Sequence, residues 1–206
     1  TQLEPDPDGL LAIDKLVDIF EEDTFLVSVM LANNEIGVVQ PLAEIAEICR
    51  SKGVILHSDV VQGFGNLPLN CKEIGIDLMS ISGHKMYGPK GVGALVFKNP
   101  LPMLPLQWGG GQEKGLRPGT IPVPLIVGFA KAAELALKDL GDRQERLANL
   151  RNKLYRQLQE NIPDLIINGS MDKRLGHNLN ITVPGVRGNH LHRKIRPLIS
   201  CSSGSA

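Results

Sequence analysis

Apolar residues recur along this chain in two rhythms: short uninterrupted runs and longer stretches at helical spacing. After the turn Asp6–Gly9, Leu10, Leu11, Leu16, Val17 and Phe20 predict a helix ending near Glu22. Thr24 to Leu31 reads as a buried strand and runs into the polar loop Ala32–Gly37. Pro41 suits the start of a second helix, with Leu42, Ile45 and Ile48 on one face and Lys52-Gly53 closing it. Val54 to His57 is another apolar run, followed at once by Ser58 and Asp59. Asn66 to Ile76 reads as a connector with a short helix. Asp77 to Ile81 and Gly93 to Phe97 predict two more strands.

Beyond these, Leu101 to Leu106 is Pro-rich and irregular, and leads to Gly109-Gly110-Gly111. Helical periodicity returns from Pro122 to Leu140. Gly141-Asp142 is expected to break it before a charged helix from Arg143 to Glu160. That break is the expected boundary between a unit over residues 1–141 and a smaller one over 142–206. In the second unit, Asp164–Ile167, Leu179–Val183 and Leu198–Cys201 read as strands and His190–Arg196 as a helix. Strands alternating with amphipathic helices predict an α/β fold, a mostly parallel sheet with helices on both faces. The loops after Leu31, His57 and Ile81 would then share one edge, where ligands bind in such sheets.

Composition narrows the function classes. Of 206 residues, 42% are hydrophobic, and 22 Lys and Arg balance 22 Asp and Glu. Zero net charge gives no electrostatic reason to expect nucleic acid or an anionic membrane as partner. No apolar run is long enough to span a bilayer. Cys49, Cys71 and Cys201 are too scattered for a disulfide framework or a clustered metal site, and a reducing, cytoplasmic setting is expected. The polar, acidic opening Thr-Gln-Leu-Glu-Pro is no signal peptide. With no initiator Met and an end at Ser-Ser-Gly-Ser-Ala, the chain is expected to be a segment of a longer protein.

The chemistry-bearing residues gather at the predicted strand ends. Lys85, held beside a Ser and a His, can form a Schiff base with a carbonyl; most loop lysines are simply solvated. Asp59 fits a helix N-cap as well as a carboxylate pairing with a protonated ring nitrogen. Gln62 lies three residues on and shares its face if a helix begins there. Ser82, Gly83 and His84 read as a polar turn or as phosphate contacts through a hydroxyl, a backbone N–H and an imidazole. Asn34 is a turn residue or an amide reaching a ligand, and Thr120 a cap or a phosphate ligand. A lysine, a carboxylate and an amide on one edge suit pyridoxal 5'-phosphate (PLP), which needs an imine-forming amine and an acid partner for its ring nitrogen.

Four motifs carry a resemblance: Asn33-Asn34-Glu35-Ile36-Gly37, His57-Ser58-Asp59-Val60-Val61-Gln62, Ser82 to Gly91, and Arg117-Pro118-Gly119-Thr120. In this order they resemble the cysteine desulfurases of the class V aminotransferase group. The resemblance implies the type I PLP-dependent transferase fold, continued by the start of a smaller α+β domain. It implies Lys85 as the Schiff-base lysine and proton-transfer base, Asp59 on the pyridinium nitrogen and Gln62 on the ring oxygen. Ser82, Gly83 and His84 would hold the phosphate side, Asn34 would contact cofactor and substrate, and Thr120 would reach the partner subunit's phosphate across a homodimer. The implied reaction converts L-cysteine to L-alanine and leaves an enzyme persulfide. Its sulfur feeds an acceptor or iron–sulfur scaffold protein.

The resemblance also implies departures. The family's nucleophilic Cys follows the Ser-Ser-Gly-Ser-Ala turn and would come after Ala206. Val60 stands where a small Ala is usual, and Gln112 where a His is common. A selenocysteine lyase or another class V aminotransferase would share Lys85 and Asp59. A noncatalytic dimerising remnant is the alternative outside enzymes.

Overall fold

The computed structural model describes residues 1–98, 101 and 103–202. Its centre is a four-stranded sheet of β1 (Leu26–Met30), β2 (Ile55–Asp59), β3 (Leu78–Ser82) and β4 (Gly93–Phe97), in that spatial order. The pairs β1–β2 and β2–β3 are parallel and β3–β4 is antiparallel. The expected mostly parallel sheet is therefore present, but of the helices expected on both of its faces, those among the described residues that pack on it cover one.

Alternation along the strands decides where the core lies. Leu56 and Ser58 of β2, and Met79 and Ile81 of β3, are buried. They pack with Val27 and Val29 of β1 against helices on one face. Those helices are α1 (Ile13–Asp18), α2 (Leu42–Lys52), α3 (Cys71–Ile74) and α4 (Val123–Lys138). Helix α2 lies there because Leu42, Ile45, Ala46 and Cys49 form one apolar stripe. It stops at Gly53, whose φ of 69° is left-handed and whose N–H caps the carbonyls of Cys49 and Arg50. The other sheet face carries Leu26, Ser28, Met30, His57 and Asp59. Here Leu26 is 41% and Met30 42% exposed.

Two expectations shift. The break after α4 falls at Asp139 (φ −122°, ψ 39°), and α5 (Leu140–Asn161) runs straight through Gly141-Asp142. A mid-helix glycine is only weakly unfavourable. The junction is instead pinned by Arg143, whose guanidinium donates to the Ala136 and Gly65 carbonyls. Leu198–Cys201 forms no strand: the chain turns after α6 (Gly188–Ile195), and His192 Nε2 donates to the Cys201 carbonyl at 2.7 Å. The serine turn over residues 203–206 lies outside the described residues.

Beyond α5, a short antiparallel pair forms from β5 (Ile166–Ile167) and β6 (Ile181–Thr182). The segment between them folds back on the loop after β1. Leu175 N–H donates to Gly37 O (2.9 Å) and Val39 N–H to Lys173 O (2.8 Å). Among the described residues no helix is long and apolar enough to cross a membrane, and no cluster of His, Cys, Asp or Glu could hold a metal.

Candidate active site at the carboxyl edge of the sheet

The loops after β1, β2 and β3 leave the sheet at one edge, because parallel strands end on the same side. Asn34 rides on the first loop, Asp59 and Gln62 on the second, and Ser82 to Lys85 on the third. Thr120 sits elsewhere in the chain order, in an exposed stretch just before α4. No hydrogen bond ties it to these loops among the described residues.

Asp59 ends β2, in register with Met30 on one side and Ser80 on the other. It is exposed, and its Oδ1 accepts the Val61 N–H at 2.9 Å. The carboxylate therefore caps a turn where no helix begins, in place of the expected helix N-cap, while staying at the surface of the edge. The turn closes through the Gly63 and Phe64 N–H groups onto Val60 O, at 2.9 and 2.7 Å. Gln62 lies within it, and its carbonyl accepts from Asn66 Nδ2 at 3.0 Å.

Ser82 ends β3, and the chain enters a 3₁₀ turn, Gly83–Met86, that contains Lys85. The turn is closed by Gly88 N–H onto Gly83 O at 3.0 Å, with Tyr87 at a φ of 62°. Helix α4 packs against it. A Cβ at Gly83 would meet Pro89 O at 3.0 Å and Phe129 Cδ2 and Val92 Cγ1 at 3.1 Å, so a side chain there would have to push these neighbours back, and glycine lets the loop sit close. The Gly83 N–H donates to Val92 O at 3.0 Å. Gly83 thus brings close packing to the site, its own N–H being committed to the loop. Ser82 Oγ and His84 Nδ1 are 2.7 Å apart, placing a hydroxyl and an imidazole side by side.

Asn34 is half-buried, next to Asn33, whose Oδ1 accepts the N–H groups of Glu35 (2.8 Å) and Ile36 (2.9 Å). Two supporting networks escaped the sequence reading. On the open sheet face, Ser28 Oγ, His57 and Ser80 Oγ form one chain across three strands, at 2.7 and 2.9 Å. Behind the Asn34 loop, Asn178 and Asn180 both donate to Glu35 O, at 2.9 and 3.2 Å. The period-two placement of Ser28, His57 and Ser80 was the signal for the first. The second had none, since it joins residues more than a hundred positions apart.

The cysteines differ in character. Cys49 is 1% exposed. Burial first, then the nearby Asp77 carboxylate, push its thiol up to about 11. Such a thiol is an inert packing group. Cys71 is half-buried and Cys201 exposed.

The architecture is that of the type I PLP-dependent transferases. The chain belongs to the class V aminotransferase family, whose family model matches residues 1–205. It is 47% identical to the cysteine desulfurase IscS of Histophilus somni (strain 2336) over 208 residues, covering 100% of this chain and 51% of that protein. To the cysteine desulfurase IscS of Rickettsia typhi it is 46% identical, covering 50% of that protein. Among solved structures, a NifS-like protein superposes with a TM-score of 0.90 at 37% identity, over 96% of this chain and 54% of the other. DndA from Streptomyces lividans gives 0.84 at 38% identity, over 95% and 56%. The chain spans about half the length of the curated relatives it matches.

Proposed function

We propose that this chain is the cofactor-binding part of a cysteine desulfurase that converts L-cysteine to L-alanine and passes the sulfur to an enzyme thiol as a persulfide. The observation that carries it is the placement of Asp59 and of the Ser82–Lys85 turn at adjacent ends of parallel strands, on one edge. In this reading the chain up to the break at Asp139 forms the cofactor-binding unit, and α5 begins the smaller one, two residues before the boundary expected at 141/142. The enzyme works as a cytoplasmic homodimer and delivers sulfur to an acceptor or iron–sulfur scaffold protein.

The donor set on the edge fits PLP. Lys85 supplies the amine that holds the cofactor covalently. Asp59 faces the ring nitrogen and keeps it protonated, and Gln62 donates to the ring oxygen. Ser82 and His84 offer a hydroxyl and a ring N–H to the phosphate, with Gly83 giving the close approach. Asn34 reaches cofactor and substrate, and Thr120 serves the partner subunit's phosphate. When bound, PLP supplies an electron-withdrawing ring that stabilises negative charge at the substrate α-carbon. Once substrate has displaced it, Lys85 Nζ takes and returns the α-proton. Cys49 is unsuited to carry sulfur, because its buried thiol resists ionisation.

The test uses the full-length parent. A visible absorbance band that disappears in Lys85→Ala, with alanine and persulfide formed from L-cysteine, is expected. A parent that stays colourless with added PLP overturns the cofactor assignment. A parent that binds PLP but acts on selenocysteine and spares cysteine overturns the substrate.

A further inference from the structure

The loop that carries Asn34 is gripped from behind by a part of the chain remote in sequence, and the grip centres on one buried cation. Arg174 is 7% exposed. Among the described residues its guanidinium has only neutral partners: Nε donates to Ser170 O (3.0 Å), Nη1 to Asn178 Oδ1 (3.0 Å), and Nη2 to Gly169 O (3.0 Å) and to Asn168 O. Burial first, and then the nearby Arg151 charge, lower its pKa. A buried charge is costly unless its donors are satisfied. Here they are satisfied only if residues 168–178 hold one conformation, and that conformation aims the Asn178 side chain.

With Oδ1 taken by Arg174, Asn178 must present its Nδ2 outward. That Nδ2 donates to Glu35 O at 2.9 Å, and Asn180 Nδ2 donates to the same oxygen at 3.2 Å. Glu35 directly follows Asn34. Gly37 closes the contact: its φ is 72°, and a Cβ there would overlap the Asn178 side chain. The fit is therefore two-sided, donors on one segment and a missing side chain on the other.

We propose that Arg174 and Asn178 are positioning residues for Asn34, fixing the loop from behind so that its amide meets the cofactor already oriented. The proposal rests on the PLP reading of the sheet edge given above. Its consequence is preorganisation: ordering of the loop is completed on folding and does not oppose binding.

Asn178→Asp in the full-length parent separates this role from simple packing. The carboxylate keeps its size and its bond to Arg174, but opposes the Glu35 carbonyl with an acceptor. PLP affinity, followed by cofactor absorbance, is expected to fall roughly five- to tenfold, the scale of one lost hydrogen bond. In an Asn34→Ala background the same substitution should change affinity little further, because the step it acts through is gone. Amide exchange over Asn33–Val39, measured without PLP, should speed up in Asn178→Asp. Asn180→Ala is the milder second variant, expected to show the same non-additivity at about twofold, since its bond is the longer one.

Unchanged affinity, or an equal loss with and without Asn34, overturns the inference. Unchanged amide exchange overturns it as well. A wild-type parent that takes up no PLP removes the site reading and this inference together. A parent that binds PLP normally while its Asn178 variant is indifferent removes this inference alone.

Discussion

His57 Nε2 lies 2.9 Å from the Ser80 hydroxyl on the strand to one side, while its Nδ1 lies 2.7 Å from Ser28 on the strand to the other. One imidazole thus ties β1, β2 and β3 together on the open face, two residues before Asp59. Hydroxyls both donate and accept, so the chain closes with either neutral tautomer of the ring. His57→Phe removes both bonds. The expected loss is about 1–2 kcal/mol of unfolding free energy, softened because water reaches this face. Urea denaturation measures it, and a stability equal to wild type would show that the chain of bonds contributes nothing.

Asp59→Asn keeps an oxygen for the Val61 N–H and removes the charge. Stability should change by less than about 0.5 kcal/mol, as for an exposed residue. Alanine formation by the full-length parent should fall by a factor on the order of 10². A variant as active as wild type would remove Asp59 from the site.

Gly37 and Gly53 both sit at positive φ, at 72° and 69°, yet only Gly37 has a neighbour in the way. Gly53→Ala should therefore cost backbone strain alone, about 1–2 kcal/mol. Gly37→Ala adds a collision with Asn178 to the same strain and should cost clearly more. Equal losses in paired thermal or urea melts would mean that the 168–180 segment yields easily.

The Cys49 thiol, raised to about 11 from an ordinary 9.0, predicts both a reactivity order and a pH effect. Iodoacetamide at mild pH should modify exposed Cys201 first and leave Cys49 unmodified until the chain unfolds, as peptide mass mapping would show. In the folded state Cys49 holds its proton more tightly than in the unfolded state. Below about 9 both states are protonated. As pH climbs from there toward 11 the unfolded thiol ionises first, so stability falls across that window.

Much of the layout of the candidate site was legible because local physics sets where these residues fall on the sheet edge. The run before Ser82 is apolar and short, Gly88, Pro89 and Gly91 force a loop, and Lys85 lies in the turn just past the strand end. The same logic placed Asp59 and Asn34. Gly83 was legible as part of a motif, but its contribution was not. The fold commits its N–H to Val92 and gives it a packing role against α4 that no local pattern reveals. The helix break misled because Gly141 is a weak breaker, while the Arg143 contacts that pin the junction at Asp139 come from Gly65 and Ala136.

The order of apolar runs and turns by itself determined the α/β layering, the parallel edge and the residues that stand on it, because strand period and loop chemistry are written in neighbouring residues. Only the tertiary structure decided how that edge is held. The Ser28–His57–Ser80 chain and the grip of Arg174 and Asn178 on the Asn34 loop depend on strand register and on chain segments far apart in sequence. Such bonds cost loop-closure entropy that only the assembled core can offset, so a local pattern that at most sets Ser28, His57 and Ser80 on one face of their strands does not pair them.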